Sequence, residues 1–315
     1  MKTNKKISFV IPCYYSEKTI GSVVEEICKE FPEEEYNREI VLVNDGSKDN
    51  TFQVLKGLVE TVPGIKAINL AKNFGQDSAT MCGLRECTGD YIVILDDDGQ
   101  NPPAEAHKLL AEIEKGYDAV FAKYHEKKDT AFKKFGHNFN AWMATELIGK
   151  PKTLELNSFF VIDKFVKDNM LIYDGAFPYI WGLILRCTDN MSNVYIEHRA
   201  REVGESTYTL GKLIKLWLDG SLSFSIKPLR ITSLFGFFTC FIGLIFAVII
   251  VIRTIRYGDV PGWPSMMTAI VLLGGFQLMM LGILGEYVGR IFLNGNHAPQ
   301  FVVKERYTKE SSVEE

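Results

Sequence analysis

Between residues 231 and 252 the chain runs for 22 residues without a charged side chain, and no other feature limits its folding so strongly. As a helix this stretch is about 33 Å long, enough to cross a hydrocarbon core of about 30 Å. Fifteen of its residues are Leu, Ile, Phe or Val, and at roughly 0.3–0.6 kcal/mol each they favour insertion into lipid by about 5–9 kcal/mol as an upper bound. A second charge-free stretch covers residues 266–285, weakened by Gln277 and several glycines but still 20 residues long. Residues 253–265, with Pro261, Trp263 and Pro264, make a short connection between the two. From residue 231 to 289 only four side chains in 59 are charged, whereas the other 256 residues carry 70. The mean hydropathy of +0.02 and the net charge of −4 therefore average two parts built for two solvents.

Two crossings put both flanks on one side of a bilayer. Lys212, Lys215, Lys227 and Arg230 precede the pair and Arg290, Lys304 and Arg306 follow it, against Arg253 and Arg256 in the connection. The positive-inside bias places the charged part and both termini in the cytoplasm. Residues 210–218 put Leu210, Leu213, Ile214, Trp217 and Leu218 at helical spacing. Such a stripe suits a core-facing helix or one lying in the membrane interface, and its place before the apolar part favours the interface. At the N-terminus, residues 7–12 follow three lysines as a signal peptide would, but Pro12 breaks the apolar run and a first β-strand is the better reading. The mildly acidic balance gives no electrostatic reason to expect nucleic acid. The six cysteines form no Cys-x-x-Cys pair and are read as reduced packing residues.

Residues 7–11, 40–43, 65–70, 91–95 and 119–122 are short β-branched apolar runs, and 19–31, 51–62, 77–86 and 103–115 between them have helical period. This alternation predicts an α/β domain with a mainly parallel sheet covered on both faces. A helical stretch at 131–148, strands at 159–162 and 194–197, an aromatic segment at 176–186 and a polar loop at 199–208 follow. Ligands of such sheets bind at the carboxyl ends of the strands. Three acidic clusters fall there: Tyr14-Tyr-Ser-Glu17, Asn44-Asp-Gly-Ser-Lys-Asp49 and Asp96-Asp-Asp-Gly-Gln100. Asp49 alone reads as a helix cap. Three adjacent carboxylates at residues 96–98 repel one another and call for a divalent cation. Asp96 and Asp98 can point to one side of an extended segment and hold Mg2+ or Mn2+ while a diphosphate supplies further ligands. No P-loop and no Gly-x-Gly-x-x-Gly follows the first strand.

Val10-Ile-Pro-Cys-Tyr-Tyr-Ser-Glu-Lys-Thr-Ile20, Val41-Leu-Val-Asn-Asp-Gly-Ser-Lys-Asp-Asn-Thr51, Leu70-Ala-Lys-Asn-Phe-Gly-Gln76 and Asp96-Asp-Asp-Gly-Gln-Asn-Pro-Pro103 resemble, in order, the motifs of family 2 glycosyltransferases. Arg201-Glu-Val-Gly-Glu-Ser-Thr-Tyr208, the amphipathic helix, the two spans and Gly285-Glu-Tyr-Val-Gly-Arg290 resemble its polyprenyl-phosphate glycosyltransferases. The resemblance implies a Rossmann-like GT-A domain over residues 1–209, an interfacial helix at 210–229, a transmembrane hairpin at 230–289 and a cytosolic tail at 290–315. It implies a nucleotide-diphosphate sugar donor, UDP-linked by preference, and a membrane polyprenyl phosphate acceptor, undecaprenyl phosphate by preference, at a bacterial inner membrane. Homo-oligomerisation stays open, and no nucleic-acid partner is implied.

By position, Pro12, Tyr14, Glu17 and Asp45 would line the nucleotide pocket. Asp96, Asp98 and Gln100 would hold the metal, with Asp97 beside them on the donor. Arg201 and Ser206 match the loop that closes over the phosphates in this group, and Lys123 and Lys133 match basic positions facing the acceptor phosphate. For both lysines a solvated surface charge is the competing reading. Tyr15 and Ser16, Gly99, His137, Thr207 and Ala298 depart from the usual residues of the group. A processive polysaccharide synthase is the alternative enzyme, but the chain has no Gln-x-x-Arg-Trp. A non-catalytic membrane scaffold that keeps the fold is the alternative outside enzymes.

Overall fold

The first β-strand, β1 (Ile7–Cys13), is buried at every position, as a strand must be when it lies at the centre of a sheet covered on both faces. The computed structural model describes residues 5–124, 151, 153–197, 199, 227–257, 262–296 and 298–309. Chain order then runs α1 (Ile20–Glu30), β2 (Arg38–Asn44), α2 (Thr51–Thr61), β3 (Ile65–Leu70), α3 (Gln76–Glu86) and β4 (Tyr91–Ile94). It continues through a 3-10 turn (Pro103–Glu105), α4 (Ala106–Ile113), β5 (Ala119–Tyr124), β6 (Phe160–Asp163), α5 (Lys164–Met170), α6 (Ile180–Cys187) and β7 (Met191–Ile196). Two long helices, α7 (Lys227–Tyr257) and α8 (Trp263–Gly295), precede the last strand, β8 (Val303–Thr308).

The eight strands form one sheet in the order β7-β5-β6-β4-β1-β2-β3-β8. β1 pairs in parallel with β2 and β4, β2 with β3, and β5 with β7. β6 runs antiparallel between β4 and β5, and β8 antiparallel to β3. The winding reverses at β1, whose successors go to one side as β2 and β3 and to the other as β4, so a crevice opens at the carboxyl ends of β1 and β4. Pro12 helps to open it. Pairing with β4 ends at Val10–Ile94, two residues before this proline, which has no N–H to offer, while pairing with β2 continues to Cys13–Asn44. On one face α1, α2 and α4 bury Ile20, Val24, Ile27, Leu55, Val59, Leu109 and Ile113 against Phe9, Ile11, Ile40 and Leu42 of the sheet. Phe31, just past α1, packs its ring 5.0 Å from that of Phe9. Cys13, Cys28, Cys82, Cys87 and Cys187 are free thiols, as packing residues should be.

The structure divides into two compact units, Met1–Leu213 with His297–Glu315, and Ile214–Asn296. The tail therefore rejoins the sheet. Its strand β8 has no counterpart in the sequence reading, because Val-Lys-Glu-Arg-Tyr-Thr is polar and pairs through a single edge with β3. α5 and α6 are likewise additions, and β7 starts three residues before the expected strand. In the second unit, residues Thr232–Ile250 and Leu272–Gly295 are long and apolar enough to cross a membrane. Their large side chains face outward, with Phe237 75%, Leu234 69% and Leu278 70% exposed. Helices in the core of a water-soluble protein would cover such surface, so an apolar environment suits this pair.

Gly46, in the turn after β2, has a φ of 63°, and a Cβ there would lie 2.4 Å from the backbone carbon of Lys72 and 2.6 Å from the amide nitrogen of Asn73. A side chain at this position meets both left-handed strain and fixed backbone. Gly46→Ala is expected to destabilise the protein by about 2–5 kcal/mol, summing the left-handed and overpacking costs. Chemical denaturation of the detergent-solubilised protein checks this, and an unchanged midpoint would be inconsistent with it.

Candidate active site

The carboxyl end of β4 carries Leu95 into the core and then Asp96, Asp97 and Asp98 into the crevice. Each aspartate is held by a different part of the chain. Asp96 accepts the side-chain amide of Gln76, the first residue of α3, at 2.9 Å, that of Asn101 at 3.2 Å, and the hydroxyl of Ser158. Asp97 accepts the backbone amide of Tyr14 at 3.0 Å and the hydroxyl of Ser16, which ties the loop after β1 to the loop after β4. Asp98 accepts the amide of Gln100 at 3.1 Å across a turn in which Gly99 takes a φ of 71°. The carbonyl of Gln100 accepts the amide of Arg199, beyond β7, at 3.0 Å. Arg199 is held in turn by a two-pronged ion pair with Glu26, at 2.8 and 3.0 Å.

Around this centre the other predicted residues fall as follows. Pro12 is buried at the end of β1. Tyr14 and Tyr15 are half exposed, with rings edge-on at 4.7 Å, and Tyr15 has a φ of 57°, left-handed for a bulky residue. The Tyr15 amide donates to the hydroxyl of Ser47 at 3.0 Å, which joins the β1 and β2 loops. Glu17 accepts the amide of Asn50 at 3.1 Å at the start of α2. Asp45 is buried and accepts the amides of Phe74 and Gly75, at 2.7 and 2.9 Å. It thereby fixes the turn that opens α3, so its carboxylate shapes the pocket through the backbone. Asp49 accepts the amide and hydroxyl of Thr51, a local turn contact one residue before the N-cap of α2, which is Asn50.

Lys123 stands apart from this group. Its Nζ pairs with Glu155 at 2.8 Å and lies 5.3 Å from the centre of the Tyr195 ring, whereas the next residue, Tyr124, sends its hydroxyl to Asn101. Strand alternation puts the two side chains on opposite faces of β5. Lys133, Arg201, Ser206, His137, Thr207 and most of the 210–229 helix lie outside the described residues. Gln76, Asn101, Ser158 and Ser16 are the site residues that motif reading passes over. The first two stand inside quoted motifs, and Ser16 inside the first. Ser158 has no local signal, since only the antiparallel pairing of β6 with β4 brings it to Asp96.

Burial governs the electrostatics. Desolvation pushes the Asp97 carboxyl up to about 6, the Ser16 and Tyr14 donors pull it down, and the neighbouring Asp96 and Asp98 charges push it up again. Burial likewise raises Asp45 against the pull of its two backbone donors. Hard oxygen donors crowded until one of them resists ionisation suit a divalent cation such as Mg2+ or Mn2+. Among the described residues no three His, Cys, Asp or Glu side chains make a metal cage by themselves.

Residues 8–178 match the family model Glycosyl transferase family 2, and residues 227–291 match that of the GtrB C-terminal hairpin. The chain is 32% identical to a bactoprenol glucosyl transferase of Shigella phage SfX, over 96% of this chain and 99% of that one. It is 30% identical to an undecaprenyl-phosphate 4-deoxy-4-formamido-L-arabinose transferase of Proteus mirabilis, over 95% and 93%. Among solved structures, glucosyl-3-phosphoglycerate synthase from Mycobacterium tuberculosis superposes with a TM-score of 0.51 at 17% identity, over 69% of this chain and 77% of that one. This likeness shows the GT-A fold.

Because Asp97 holds its proton more tightly folded than unfolded, its contribution to stability is complete below about pH 4 and is lost as pH rises through about 6. Asparagine can still accept from Tyr14 and meet Ser16. In metal-free protein, Asp97→Asn is therefore expected to gain stability relative to wild type between pH 4 and pH 7. Melting temperatures across that range test it, and parallel profiles for the two proteins would contradict it.

Proposed function

The chain belongs to glycosyl transferase family 2, in its polyprenyl-phosphate group, and from that premise we propose that it moves one sugar from a nucleotide-diphosphate donor to a membrane polyprenyl phosphate. The observation that carries this reading is the convergence of the β1 loop and the start of α3 on Asp96–Asp98, with the β2 loop joined to the β1 loop through Ser47, at the point where the sheet reverses. Two relatives that match over nearly the whole chain are named for bactoprenol and undecaprenyl-phosphate transfer, with different sugars. That pattern supports a common lipid acceptor and a variable donor, with undecaprenyl phosphate the favoured lipid. A UDP-linked donor is favoured too: the solved relative of the same fold binds Mn2+ and UDP-glucose.

In this reading an acceptor phosphate oxygen attacks the anomeric carbon in line. The bond to the donor diphosphate breaks, and nucleoside diphosphate leaves with inversion. The attacking oxygen is already anionic at neutral pH, so positioning and stabilisation of the leaving charge matter more than proton removal. Asp96, Asp98 and Gln100 would hold Mg2+ or Mn2+, which when bound neutralises charge on the diphosphate. Gln76, Asn101 and Ser158 keep Asp96 in one orientation, and Asp97 locks the β1 loop beneath the nucleotide. Asp45 holds the 73–75 turn, Tyr14 offers a ring to the base, and Pro12 and Glu17 complete that side. Arg201 and Ser206 are assigned to the phosphates, and Lys133 and Lys123 to the acceptor. For Lys123 this requires Glu155 to give way to a phosphate.

The lipid acceptor accounts for the second unit. Withdrawing a polyprenyl chain from the bilayer costs about 0.8 kcal/mol per exposed CH2, so the catalytic unit must work at the surface. We place that unit, the tail and both termini on the cytoplasmic side of the bacterial inner membrane, with the 210–229 helix in the interface.

Asp98→Ala is expected to lower sugar transfer at least about 100-fold, the usual scale for losing an electrostatic stabiliser of the transition state. EDTA should abolish transfer and added Mn2+ or Mg2+ restore it. Transfer by Asp98→Ala at near the wild-type rate, with donor binding intact, would overturn the assignment.

A further inference from the structure

The aromatic segment at residues 176–186 has no part in the reaction as described, yet the fold sets it against the acidic centre. The amino end of α6 is joined by two contacts to residues adjacent in sequence to those that hold Asp96. The carboxylate of Asp77, in the first turn of α3, accepts the amide of Ile180, the first residue of α6. The indole N–H of Trp181 donates to the carbonyl of Asn157 at 3.3 Å. Each of these partners is the sequence neighbour of a residue that holds Asp96, Asp77 following Gln76 and Asn157 preceding Ser158. Tyr179 and Trp181 stand edge-on with ring centres 5.8 Å apart, both partly exposed.

A divalent ion and a diphosphate have no use for aromatic rings. A hexose does, because its C–H face is apolar while its rim carries hydroxyl groups that need directional partners. Asp77 offers a carboxylate and Asn157 a side-chain amide, which together accept from and donate to hydroxyls. Burial pushes the Asp77 carboxyl up to about 7, and hydroxyl hydrogen bonds would stabilise its ionised form.

We propose that Asp77, Asn157 and Trp181 form the wall that selects the donor's sugar, with the Trp181 ring over its C–H face and Asp77 and Asn157 on its hydroxyls. This rests on the nucleotide-sugar reading above and names the residues that set its specificity. A site built to pair with a hydroxyl rejects the analogue lacking it, because its own polar groups are then left without a partner.

The test uses full-length protein in detergent with Mn2+. Calorimetry gives the affinity for UDP, and kinetics give kcat/KM for the sugar nucleotide the wild type prefers and for its deoxy analogues and epimers. Asp77→Asn and Asn157→Ala are expected to keep UDP affinity within about twofold while the discrimination against one analogue falls at least tenfold. Trp181→Ala should raise the donor KM about tenfold, and Trp181→Phe, which keeps a ring, should restore most of it. Unchanged discrimination in both Asp77→Asn and Asn157→Ala would overturn the proposal. So would a parallel loss of UDP affinity, which would reduce these residues to supports of the diphosphate site. Absence of transfer by the wild type from every nucleotide sugar would sink the underlying donor reading instead, and this wall with it.

Discussion

Three adjacent carboxylates at the end of a buried strand repel one another, and much of the catalytic unit is arranged to keep them together. The means is a set of neutral donors taken from distant parts of the chain: Gln76, Asn101 and Ser158 on Asp96, Tyr14 and Ser16 on Asp97, and the Gln100 amide on Asp98. Neutral donors orient the oxygens without cancelling their charge; burial, with the Asp96 and Asp98 charges beside it, raises the Asp97 carboxyl against the pull of Ser16 and Tyr14. Remaining negative charge at a partly buried turn is what a divalent cation and a diphosphate together can use. The same contacts tie the β1 loop, the start of α3, the β4 loop and the segment before β6 into one rim, so the acidic turn serves as the structural joint of the site as well as its proposed chemical centre.

The second constraint is the solvent of the two long helices. Among the described residues their Phe, Leu and Ile side chains are largely exposed, and an apolar environment suits that arrangement. A transferase whose acceptor stays in the bilayer gains from being carried on such a pair. The antiparallel strand β8 returns the chain to the sheet after the two long helices, so the catalytic unit is built from both sides of that apolar pair in sequence.

Much of this was legible in the amino-acid order, and the misses share a cause. β1 to β5 stand out because a strand buried on both faces must be a run of β-branched and aliphatic residues, and the acidic clusters directly after β1, β2 and β4 mark the ligand edge. β8 was hidden because an edge strand with alternating partly solvated positions has no need of apolar residues, and because its partner β3 lies more than 230 residues away. Ser158 escaped for the same reason: its place beside Asp96 follows from strand pairing alone. Lys123 follows directly on the run read as a strand at 119–122, which the structure extends to Tyr124, but its engagement with Glu155 depends on a contact that spacing does not encode.

In the proposed reaction the Asp96–Asp98 crevice serves transfer of a single sugar onto a lipid phosphate. The most direct test is mass spectrometry of the lipid after purified full-length protein is incubated with undecaprenyl phosphate, Mn2+ or Mg2+ and a panel of nucleotide sugars. The expected result is a lipid product heavier by one sugar residue, formed from one or a few donors, with one nucleoside diphosphate released per lipid and none formed in EDTA. Growth of a polymer, or unchanged lipid across the whole panel, would contradict it.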